Sequence, residues 1–126
     1  MVVLDTSVII DHIRQPHGAL TILQRAAKEG LDKNFAVSVI TIQELYRGES
    51  TRSKGKEAII LATLAPLVIL SYTYEVAKLA GEIIRDTTDP IQFADAAIAS
   101  TAIFNSASLL TLNKKDFEKI KTRWSK

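Results

Sequence analysis

The chain has 126 residues, 47% hydrophobic and 24% charged, with no cysteine and a formal net charge of +2. That length makes one ordinary domain, expected over residues 1–126, able to bury roughly two-thirds of its unfolded surface without a covalent staple. The missing cysteines exclude disulfide scaffolds, zinc ribbons, iron–sulfur clusters and thiol catalysis, and an early acid with no apolar run near the ~18 residues of a membrane span points to a cytoplasmic protein without a membrane partner.

In chain order, the apolar run Val2–Leu4 reads as a buried strand and is followed at once by Asp5 in DTSVIID. A helical pattern over Gly18–Glu29 stops at Gly30, and Phe35–Val39 is a second strand leading into VITIQEL, which carries Glu44. Lys56–Ala65 is a helix stopped by Pro66, and Leu67–Leu70 a third strand. In SYTYEVAKLAGEIIRD, Tyr72, Val76, Leu79, Ala80 and Ile83 share one helical face while Glu75, Lys78, Glu82 and Arg85 share the other. PIQFADAAIASTAIF is so rich in small and apolar residues that a helix there should be packed nearly all round, and Ser108–Leu112 is a fourth strand. A dozen or more residues between strands require crossover connections. The expected fold is therefore α/β: a three-layer sandwich with a central, mostly parallel sheet of four to five strands and helices on both faces.

Ligands of such sheets bind at the carboxyl ends of the strands, and four acids fall near that edge. Each has an ordinary reading beside the functional one. Asp5 could cap the helix that follows it, together with Thr6 or Ser7. Thr41 and Glu44 match a capping box. Asp95 could sit in a first helical turn after Pro90, and Asp116 could complement a cap at Asn113. Independent caps need not converge, however, and an acid inside the Ala-rich segment is costly unless paired or bound to a cation. Converging carboxylates with no His or Cys companion select Mg²⁺ or Mn²⁺. His12 and His17 lack metal-ligand spacing and read as surface residues, and no GxSxG, GxxxxGK[ST] or GxGxxG motif occurs.

Taken together, VVLDTSVIIDHIR, SVITIQELYRG, FADAAIASTA and LLTLNKKDF resemble the PIN domain, in particular the VapC-type ribonuclease toxins of toxin–antitoxin pairs, from Val2 to about Ile120. The resemblance places the family's acidic positions on Asp5, Glu44, Asp95 and Asp116, with Thr6 and Asn113 as accessory residues. It implies an Mg²⁺- or Mn²⁺-dependent endoribonuclease, the toxin of a pair whose antitoxin is a separate chain. The segment RDTTDPIQFA departs from the usual pattern, so Asp86 or Asp89 is a further candidate for the site. The other reading is a PIN-like module that binds nucleic acid or a partner without cutting.

Arg14, Arg47, Lys114 and Lys115 flank the motifs as candidate phosphate contacts. The last thirteen residues carry six Lys or Arg against two acids, a basic end on an acidic body that suits an RNA path, although the same charges suit a solvated terminus. Leu61–Leu64 and Val76–Ile84 offer more apolar helix surface than a thin sheet can cover, so a homodimer is expected as well as an antitoxin complex.

Overall fold

The structure is a computed structural model that describes residues 1–15, 20–30 and 34–124, the last four by backbone only. Four short strands, β1 (Val2–Leu4), β2 (Phe35–Ser38), β3 (Val68–Leu70) and β4 (Ser108–Leu110), form one parallel sheet in the order β3-β2-β1-β4. The helices are α1 (Thr6–Arg14), α2 (Ile22–Glu29), α3 (Val39–Arg47), α4 (Lys54–Leu64), α5 (Tyr74–Asp86), α6 (Phe93–Phe104) and α7 (Lys114–Trp124), with a single 3₁₀ turn over Glu49–Arg52.

Alternation along the strands divides the core in two. Val3 and Ala36 pack on one face with Ala80 and Ile83 of α5, Ile98 and Ala102 of α6 and Phe117 of α7. Leu4 and Val37 pack on the other with Val8 and Ile9 of α1, Leu45 of α3 and Ile60 and Leu64 of α4. The three-layer expectation is met, with four strands, all parallel.

Several local readings change. The helix expected from Gly18 begins at Ile22, because Thr21 and Gln24 close a capping box there, while 16–19 lie outside the described residues. Gly30, at φ +63°, ends it in the left-handed conformation that glycine adopts without strain. The third strand is not covered on both faces: Val68 is 47% and Ile69 51% exposed, and β3 lies at the edge of the sheet. The apolar face of α5 packs toward α6 and buries Val76, Ala80 and Ile83, while Ile84 stays exposed.

α6 is buried from Ala96 to Ala102, as its composition demanded. Its two buried hydroxyls donate within the helix, Ser100 to the Ala96 carbonyl at 2.6 Å and Thr101 to that of Ala97 at 2.8 Å. Because α6 feeds β4, it ends at the amino end of that strand. Its first turn therefore starts about 18 Å away along the helix axis, at the carboxyl edge of the sheet.

Candidate functional site

The carboxyl edge is assembled from strand ends and helix starts. Asp5 stands one residue past β1, 3% exposed, and its amide still donates to the Leu110 carbonyl at 2.9 Å. It occupies the N-cap position of α1, yet its side chain caps nothing. Instead Asp5 Oδ2 accepts from the Ser7 hydroxyl at 2.7 Å and from the Thr111 hydroxyl at 2.8 Å.

Glu44 does not belong to a capping box either. Ser38 caps α3 by accepting from the Ile40 amide, which puts Thr41 inside the helix and frees Glu44 for another partner. Thr6 donates to Glu44 Oε1 at 2.6 Å and lies 3.0 Å from the hydroxyl oxygen of buried Thr41. The single Thr6 proton is committed to Glu44, so Thr41 must donate to Thr6. The order Thr41 to Thr6 to Glu44 fixes the carboxylate from the core outward.

Asp95 is the third residue of α6, half-buried, and its carboxyl is pushed up to about 6. Burial is the largest cause, followed by the negative charges of Asp5, Asp116 and Glu44, while Lys119 pulls in the opposite direction. The charges of the three other acids therefore all bear on Asp95. Glu44, Asp95 and Asp116 line a cleft of about 440 Å³ with Arg47, Gln43, Asn113, Ile40 and the α6 start, Gln92, Phe93 and Ala94. A second cavity, of about 520 Å³, lies between α6, β4 and α7 and holds none of the four acids.

The sequence matches the PIN domain family over residues 2–122. The chain belongs to the PIN domain family. Ribonuclease VapC1 of Methanocaldococcus jannaschii is 31% identical over 128 residues, covering 95% of this chain and 81% of the relative. Ribonuclease VapC19 of Mycobacterium tuberculosis is 30% identical over 121 residues, covering 93% and 92%. The crystal structure of VapBC2 from Rickettsia felis bound to a promoter DNA fragment superposes with a TM-score of 0.77 at 26% identity, over 94% of this chain and 91% of that one.

Within this PIN domain the residues singled out by sequence divide clearly. Glu44, Asp95, Asp116, Asn113 and Arg47 share the cleft, with Asp5 and Thr6 behind it. Asp86 is held by Arg85 through bonds of 2.7 and 2.8 Å, and neither it nor Asp89 lines the cleft. Arg14 closes α1, about 12 Å of helix rise away from the carboxyl edge. Lys114 lines the second cavity, and Lys115 is exposed outside the cleft. His12 places Nδ1 2.9 Å from the hydroxyl of Thr21, a contact between α1 and the start of α2. His17 and the side chains of Lys121 and Arg123 lie outside the described residues.

Sequence reasoning took Ser7 and Thr41 only for helix caps and did not single out Thr111, Gln43 or Phe93. Thr111 had a usable signal, a hydroxyl directly after β4 where Asp5 follows β1, because Leu4 pairs with Leu110.

Among the described residues no three acidic or histidine side chains are drawn up as a ready cage for one ion. Uncompensated carboxylates repel, and Asp5 and Glu44 take hydroxyl partners instead. The donor set still fits a hard divalent cation that keeps part of its water: it is all-oxygen, its charges bear together on Asp95, and Glu44, Asp95 and Asp116 line the cleft.

Proposed function

We propose that this PIN domain is an endoribonuclease dependent on Mg²⁺ or Mn²⁺ and the toxin of a toxin–antitoxin pair. The observation that carries the reading is the shared field on Asp95, whose carboxyl the three other acids help to raise to about 6. A purely structural helix start has no use for that repulsion. The names of the similar proteins, two VapC ribonucleases and a VapBC2 structure, support the same activity and partner class.

Asp5, Glu44, Asp95 and Asp116 would hold the cation, with Asn113 beside Asp116 in the cleft. A bound divalent ion supplies charge neutralisation and a more acidic water for attack on a phosphodiester. The chain's own contribution is positioning. Ser7 and Thr111 orient Asp5, the Thr41–Thr6 relay orients Glu44, and Arg47 offers a guanidinium to a phosphate entering the cleft.

An antitoxin chain is the expected protein partner, silencing the acids with a cationic side chain. A homodimer is proposed with it. The exposed apolar side chains Ile59 and Leu61 of α4 and Val68 and Ile69 of β3 are candidate surface for it. Among the described residues no helix is long and apolar enough to cross a membrane.

The test is cleavage of RNA by the purified protein after chelation and after restoring Mg²⁺ or Mn²⁺. Cleavage lost with the ion and regained with it is expected. RNA bound but never cut, at any ion concentration, would favour the non-cleaving module.

A further inference from the structure

Phe93 is the first residue of α6, two positions before Asp95, and 70% exposed. Among the described residues it is the only aromatic side chain lining the acidic cleft. Other aromatic rings are also exposed, but Tyr74 and Phe104 line no part of that cleft. From Ala96 to Ala102 the helix is buried in the core, whereas Phe93 precedes that run and forgoes the stabilisation that burial would give. Two residues of helix rise separate the backbones of Phe93 and Asp95 by about 3 Å along the axis, and both residues line the cleft.

Its neighbours have complementary chemistry. Gln92 occupies the N-cap position of α6 but makes no capping bond with its side chain, and Gln43 is exposed on α3 in the same cleft. A side-chain amide presents a donor and an acceptor, the pattern shown by the edge of a nucleobase. Ile40 adds an apolar surface from α3. Arg47 and a bound cation would take up phosphate charge in this cleft, and its uncharged side chains are left to contact a base. Stacking is such a contact, and only an unpaired base has a free face to offer.

We propose that Phe93 is a stacking platform for an unpaired base next to the scissile phosphate, with Gln43 and Gln92 at the base edge. The inference rests on the nuclease reading for its position relative to the cut, but not for the stacking itself.

Two measurements test it. In steady-state cleavage of a single-stranded oligoribonucleotide, Phe93→Leu should raise KM by about five- to a hundredfold with a much smaller change in kcat. An abasic residue beside the cleaved bond should impair the parent strongly and Phe93→Leu little. Separately, Phe93→Trp is placed in a protein carrying Asp5→Asn, to prevent cutting, and Trp124→Phe, to remove the only native tryptophan. Its fluorescence should be quenched by single-stranded RNA and not by a duplex of the same sequence. Unchanged KM with no abasic discrimination, or no quenching, overturns the proposal. So does a Phe93→Leu protein that handles RNA normally but changes its self-association, which would make the ring a protein contact. If the parent cuts no RNA, the nuclease reading fails, and the quenching measurement still decides the stacking.

Discussion

The Thr111 hydroxyl donates to Asp5 Oδ2 at 2.8 Å, tying together residues 106 positions apart in the chain. The parallel pairing of Leu4 with Leu110 makes the contact possible, since each partner is the next residue beyond its strand. A buried carboxylate is costly unless its lone pairs are satisfied. Here the Thr111 and Ser7 hydroxyls both donate to the same oxygen, Oδ2.

Replacing Thr111 with Val keeps the shape and removes the donor. The variant should lose about 1–2 kcal/mol of stability, because the carboxylate stays buried with one partner fewer. Chemical denaturation of the metal-free protein measures it. A midpoint equal to the parent's would show that Ser7 alone satisfies Asp5.

Thr6→Val cuts the relay to Glu44 and strands the buried Thr41 hydroxyl. Groups that orient a ligand commonly carry about ten- to a hundredfold in metal affinity. Mn²⁺ titration should show a loss of that order for Thr6→Val and near-parental binding for Thr6→Ser. Equal binding by all three proteins would remove Thr6 from the site.

Asp95 has its carboxyl raised from 3.8 to about 6, so between these values the folded protein holds a proton that the unfolded chain has released. The contribution of this group to stability is therefore fully present below pH ~4 and is lost as pH rises through 6. Asp95→Asn should stabilise the metal-free protein at pH 7 by on the order of 1 kcal/mol, after discounting for solvent screening at this half-exposed side chain. The gain should vanish near pH 4. Thermal melts across this range would show it, and a difference independent of pH would mean that charge repulsion is not its source.

The basic terminus gives a salt prediction. Lys119 already acts on Asp95, so it lies close enough to influence a ligand in the cleft. Changing Lys119, Lys121 and Arg123 to Ala should flatten the dependence of log K on log salt by somewhat under one unit per lost contact with single-stranded RNA. Binding measured on the Asp5→Asn background checks this. An unchanged slope would move the RNA path toward Arg47.

How far the molecule was legible from sequence depended on the range of the signal. Strand positions followed from short apolar runs, and the convergence of Asp5, Glu44 and Asp95 from the rule that parallel sheets gather strand ends at one edge. Asp95 was conspicuous because nothing in its Ala-rich helix could pair it. Strand order has no local signature, so the exposure of Val68 and Ile69 could not be read from an apolar run identical to a buried one. The Thr41 motif misled because Ser38, three residues earlier, had already taken the cap. Thr111 and Ser7 required the register, and Phe93 looked like packing until its position at the cleft mouth was known.

The most direct test of the central claim is the single-turnover rate of RNA cleavage in saturating Mn²⁺ for the parent, Asp95→Asn and Glu44→Gln, each confirmed to be folded. Both substitutions preserve size and remove charge, and Glu44→Gln retains an acceptor for Thr6. The account predicts that each loses at least about a hundredfold, the scale of removing a group that acts on the reacting centre. Cleavage at the parental rate by Asp95→Asn would contradict it.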